Sequence, residues 1–186
     1  MAFKDILCCI PLITIGTSLS SLYYVMLKLV RDEETTVTRN YFKAFKQNFL
    51  QSLPVTMILL VITGILAADF HILGQSDSQN ASVIYGCCIV ILLAAAAVFS
   101  YVFPLMARYQ NTTRKIFENA ARLAASHLWQ TIVMTAVNLL PLGWFLISAE
   151  TFAAIFWIWI FAGMGIQAFI NSLIIRKIFD RLEAEK

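Results

Sequence analysis

The chain has 186 residues, of which 60% are hydrophobic and 13% charged, and its formal charge is +3. A soluble domain of this length needs far more charge to cover its surface. No run of Lys and Arg is dense enough to suggest a nucleic-acid partner.

The apolar residues fall in blocks of about 20, the length a helix needs to cross hydrocarbon. Five such blocks predict an all-α, polytopic membrane bundle forming a single integral membrane domain over 1–186, with spans near 6–27, 53–68, 82–106, 128–147 and 152–175. Within lipid each can satisfy its backbone only as a helix. The first block, preceded by Lys4, is too long for a signal peptide and lacks a small-residue cleavage site, so it reads as a retained span. Lys and Arg alternate between the connections. The first holds Lys28, Arg31, Arg39, Lys43 and Lys46; the third holds Arg108, Arg114, Lys115 and Arg122; the C-terminal tail holds Arg176, Lys177, Arg181 and Lys186. The second and fourth connections hold none. The rule that cytoplasmic connections are positive then places the N-terminus outside and the C-terminus in the cytoplasm.

Both positive connections carry an amphipathic segment. Over 39–49, Tyr41, Phe42, Ala44, Phe45 and Phe49 share one helical face, opposite Arg39, Lys43 and Lys46. Over 114–124, Ile116, Phe117, Ala120, Ala121, Leu123 and Ala124 oppose Arg114, Lys115, Glu118 and Arg122, with Asn111 or Thr112 as the N-cap. Such helices lie at the cytoplasmic interface with their basic sides towards anionic headgroups. Their apolar sides rest either on lipid or on the bundle itself. A shift of 79 residues aligns Ser21 with Ser100, Thr56 with Thr135 and Gly64 with Gly143, which suggests two parallel halves of similar architecture.

Several stretches resemble the YesL-like family of bacterial membrane proteins. They are Cys9-Ile-Pro-Leu-Ile-Thr-Ile-Gly16, Ser21-Leu-Tyr-Tyr-Val-Met-Leu-Lys-Leu-Val-Arg-Asp-Glu33, Tyr41-Phe-Lys-Ala-Phe-Lys-Gln-Asn-Phe49, Tyr101-Val-Phe-Pro-Leu-Met-Ala-Arg-Tyr109 and Glu118-Asn-Ala120. The resemblance implies a plasma-membrane protein of a bacterium whose gene neighbours serve carbohydrate uptake. It supplies no catalytic or ligand-binding residues.

Ionisable residues inside a membrane are the usual marks of function, and no Asp, Glu, Lys or Arg is central in any of the five blocks. His71 and His127 fall on opposite sides and cannot share a metal. No H-E-x-x-H or G-x-S-x-G element occurs. The chain therefore reads as a non-enzyme with no cofactor. Cys8, Cys9, Cys87 and Cys88 fall at one depth and read as small packing residues; the alternative is a soft-metal site or a disulfide between spans one and three. Asn138, Gln167 and Asn171 read as interhelical hydrogen-bonding residues; the alternative is a polar path for a sugar or polyol. Thr14, Gly16, Thr17, Ser18, Ser20 and Ser21 predict close helix packing, and Pro104 and Pro141 predict kinks or ends. The leading functional expectation is an accessory protein that uses Arg39, Lys43, Lys46, Arg108, Arg114, Lys115 and Arg122 as a membrane or partner surface. Its partners would be the lipid bilayer and a carbohydrate ABC-type transporter or a second copy. The alternative is a small oligomeric transporter or channel for an uncharged solute.

Overall fold

The computed structural model describes residues 2–33, 36–74, 81–109 and 111–184 and, within these, side chains from residue 14 onward except those of 81, 161 and 182–184. Seven α-helices follow one another among them: α1 (Ala2–Val30), α2 (Val37–Leu73), α3 (Ala81–Arg108), α4 (Thr113–Ser126), α5 (Leu128–Ile147), α6 (Ala149–Ile158) and α7 (Met164–Ala184). A π-helical turn, Trp159–Gly163, joins α6 to α7. No strand occurs among the described residues. The fold is an all-α helical bundle. Three helical stretches are long and apolar enough to cross a membrane: Val37–Leu73, Ser82–Arg108 and Leu128–Ile147.

The segment 39–49 is not a separate helix. It runs without a break into the apolar segment 53–68, so that α2 is 37 residues long, about 55 Å at 1.5 Å per residue. Only about 30 Å of hydrocarbon needs crossing, so the basic end of α2 extends beyond the apolar stretch. Pro54 sits inside this helix at an exposed position. It removes one hydrogen bond, that to the Leu50 carbonyl, which is too little to stop the helix. Pro104 and Pro141 likewise lie inside α3 and α5 and end neither. The block 152–175 falls across α6, the π turn and α7. The tail beyond it is helical to Ala184, because Ile178 and Phe179 are fully buried and continue the apolar stripe.

α1 and α2 form the closest seam. Thr17, Ser20, Ser21 and Ser52 are completely buried there, and the Thr17 and Ser52 hydroxyls hydrogen-bond to each other. Asn48 Nδ2 donates to Ser20 Oγ at 3.4 Å. Gly16 makes the approach possible, since a Cβ there would run into the Thr56 hydroxyl and come within 3.4 Å of the Phe103 ring. This is small-residue helix packing of the kind membranes favour.

α3 is central and touches α1, α2, α4 and α5. Its residues from Phe99 to Ala107 are all buried, whereas Val83, Ile84, Ile89, Val90, Ile91 and Leu93 are exposed. The core is therefore concentrated in the half of the bundle next to the basic connections. The paired positions of the two halves share environments: Ser21 and Ser100 are buried, as are Thr56 and Thr135, while Gly64 and Gly143 both face open space.

Candidate functional site: a polar cluster and a basic end

Asn138, Gln167 and Asn171 converge. Asn138 on α5 donates from Nδ2 to Ser100 Oγ at 2.7 Å. Its Oδ1 accepts from Gln167 Nε2 at 2.8 Å and from Asn171 Nδ2 at 2.7 Å. Asn171 also donates to the Tyr23 hydroxyl at 2.9 Å. The Asn138 and Asn171 amides thus together tie α1, α3, α5 and α7. Each such bond contributes about 0.6 kcal/mol, up to about 1.7, in a membrane bundle. Asn171 Oδ1, Ser172 Oγ and Thr135 Oγ1 are buried without a hydrogen-bond partner. Tyr23, Ser100, Asn138 and Gln167 line a cavity of about 280 Å³ walled by Phe99 and Phe103. The cluster offers neutral donors and acceptors only, so it is suited to hydroxyl groups rather than ions. Ser100 and Tyr23 were not among the residues expected to form it. Their signal was a hydroxyl on each of two helices, but Ser100 also bonds to its own helix at the Ala96 carbonyl, 2.7 Å away, and an isolated Tyr in an apolar helix reads as packing.

The two basic faces are built differently from each other. On α4, Ile116 and Ala120 are wholly buried, with Leu123 and Ala124 beside them, and Phe117 meets Phe99 edge-on at 5.6 Å. The apolar side of α4 therefore rests on the bundle, not on lipid. Thr131 pins its far end by donating to the Ala124 carbonyl at 3.0 Å. Arg114, Lys115 and Arg122 are all exposed. Arg122 is partly neutralised by Glu118 at 2.7 Å, a helical pair worth only about 0.3–0.5 kcal/mol.

Arg114 and Lys115 lie in the first turn, where the helix dipole disfavours cations by about 0.3–1 kcal/mol each. That turn has no acidic residue, and Thr112, the N-cap, makes no side-chain cap hydrogen bond. On α2, Arg39, Lys43 and Lys46 are exposed, and only Ala44 and Asn48 of that stretch are buried. Phe42 and Leu50 remain largely exposed, which leaves apolar surface for lipid.

Arg108 does not join these exposed faces. It is half-buried, with its guanidinium 5.0 Å from the Phe179 ring centre and 5.7 Å from that of Tyr109. His127 forms the corner between α4 and α5, with Nδ1 2.8 Å from Ser126 Oγ. Cys87 is exposed and Cys88 buried, and both are free thiols. The side chains of Cys8 and Cys9 lie outside the described residues, and with them the expected metal or disulfide alternative.

An all-helical bundle with membrane-length apolar helices, a neutral polar cluster and a basic end defines the structural class. Residues 3–70 match a family profile described as "Protein of unknown function, DUF624". The matched stretch covers α1 and most of α2, including the Thr17–Ser52 seam and the basic face of Arg39, Lys43 and Lys46, and it stops before α3. No curated protein and no solved structure matches the chain.

Proposed function

We propose that this chain is a YesL-like accessory protein of the bacterial plasma membrane that docks an acidic partner through the basic faces of α4 and α2. Its N-terminus would lie outside and its C-terminus in the cytoplasm, with five spans. The supporting observation is the first turn of α4. Two exposed cations stand where they weaken their own helix, on an element whose other face is already used by the bundle. Residues that oppose local stability without a packing gain point to a task. The family resemblance suggests a carbohydrate transporter as the partner. The test is a mild-detergent pull-down from the native host of wild type and of Arg114→Glu/Lys115→Glu and Lys43→Glu/Lys46→Glu variants. Wild type should recover a transporter subunit in stoichiometric amount, and both variants should lose it. Equal recovery from all three removes the proposal.

A second reading, a transporter of an uncharged solute, draws its support from the cavity beside Asn138. It requires Asn138→Leu to abolish solute flux in proteoliposomes, and unaltered flux would eliminate it.

A further inference from the structure

Five helices meet at the cavity beside Asn138. Tyr23 of α1, Leu59 of α2, Ser100 of α3, Asn138 of α5 and Gln167 of α7 all line it. Asn138 sits midway along α5 (Leu128–Ile147), a helix of membrane-crossing length, so the cavity lies near the middle of the apolar layer. Its polar atoms come from Tyr23, Ser100, Asn138 and Gln167, and the rest of its lining is apolar.

Most of the hydrogen-bonding capacity of these four side chains is used within the protein. Asn138 Oδ1 accepts twice, from Gln167 and from Asn171. Ser100 Oγ accepts from Asn138 and donates to the Ala96 carbonyl. The Tyr23 oxygen accepts from Asn171, which leaves its own proton to give. Asn138 Oδ1 can only accept, so Gln167 must offer it the amide nitrogen, and Gln167 Oε1 stays open. Among the described residues, neither the Tyr23 hydroxyl proton nor Gln167 Oε1 has a partner. The second hydrogens of the two amide nitrogens add donors but no acceptor. An open donor and one open carbonyl on the same cavity are the complement of a single hydroxyl group, which accepts from the first and donates to the second.

A ligand rich in hydroxyls does not suit this lining. A sugar or open-chain polyol would bring several O–H donors to one open carbonyl. Its other hydroxyls would be buried unpaired against leucine and phenylalanine, at the full cost of their dehydration. A pure hydrocarbon would instead leave Tyr23 and Gln167 unpaired. Size sets the remaining condition. A dry cavity of about 150 Å³ takes benzene, so one of about 280 Å³ takes a body of about ten non-hydrogen atoms.

We infer that this cavity binds one membrane-dissolved alcohol or phenol, with its hydroxyl between Tyr23 and Gln167 and its hydrocarbon body against Phe99 and Phe103. The site is the one named in the transport reading, but binding requires no flux, so a negative flux assay leaves the inference standing. It involves neither basic face.

The experiment places the full chain in phosphatidylcholine nanodiscs, whose lipid carries no hydroxyl. Tritiated phenylbutanol is bound at equilibrium, with empty nanodiscs as the blank. It should bind saturably, one molecule per chain. Butylbenzene, the same body without the hydroxyl, should compete at least tenfold more weakly. Mannitol, a polyol of similar size, should not compete. Tyr23→Phe and Gln167→Leu should each weaken binding at least fivefold. Ala96→Leu adds bulk to the cavity wall and leaves the four polar side chains in place. It should abolish binding without lowering the thermal unfolding midpoint of the ligand-free chain. No saturable binding, equal competition by butylbenzene, or displacement by mannitol overturns the inference.

Discussion

Asn138 holds more of the bundle than any neighbour in its cluster, because its amide serves both as donor to α3 and as double acceptor from α7. Replacing it with Ala removes three hydrogen bonds and leaves Gln167 and Asn171 with unsatisfied donors. The expected cost is about 2–3 kcal/mol. Gln167→Leu removes one bond and should cost about 1 kcal/mol or less. Reversible unfolding in mixed micelles measures both, and equal effects would show that Asn138 is not the hub. Gly16 is a second decisive residue. Its substitution by Ala forces α1 and α2 apart at Thr56 and should cost about 1–3 kcal/mol. Because the first obstacle is the Thr56 hydroxyl, Thr56→Ala in the same chain should recover part of that loss. A double-mutant cycle with no coupling would refute the contact.

At the scale of the element, α4 separates stability from function. Arg114→Glu/Lys115→Glu places anions at its N-terminus, where the dipole favours them. The helix should gain up to about 1 kcal/mol while partner capture falls. Thermal denaturation beside the pull-down checks the two signs together. Much of this architecture was legible in the sequence, and α5 begins and ends at the residues where its apolar block does. The faces of α4 could be drawn from periodicity, but not what lay beneath them, since Ile116 and Ala120 would face lipid or protein with the same pattern. The union of 39–49 with 53–68 was hidden by Gln51, Ser52 and Pro54, which look like a joint. Ser52 instead satisfies itself on the Phe49 carbonyl at 2.9 Å and on Thr17. The polar cluster was half legible. Its three amides stand out in apolar blocks, but the turn of α7 that brings Gln167 and Asn171 to Asn138 depends on the register set by the π turn. Gly163 ends that turn, where a Cβ would lie 2.6 Å from the Trp159 ring, and an apolar run reads the same whether it winds as an α or a π turn.

For the whole molecule, burial is graded along the bundle axis. Phe99 to Ala107 of α3, Ile175, Ile178 and Phe179 of α7 and the apolar face of α4 form one continuous core at the basic end. The opposite end exposes Val83, Ile84, Leu146 and Ile147. The helices are thus fastened at one end and loosely spaced at the other. Paired spin labels at Thr36 and Ser126 should give a narrow distance distribution, and labels at Ile72 and Ile147 a broad one. Equal widths would contradict the gradient.

The uninterrupted course of α2 has a mechanical meaning. From the Thr17–Ser52 contact to Arg39 is 13 residues of helix, about 20 Å of stiff rod. Tilting that rod by about 10° about the contact would carry Arg39 sideways by about 3.5 Å, given the helical rise. Because α2 runs unbroken through 49–53, the rotation passes the fulcrum and moves the apolar arm the other way, against α3, less the bending allowed by the one hydrogen bond that Pro54 removes. Whatever grips Arg39 and Lys43 from outside therefore has leverage over how the far end of the bundle spreads.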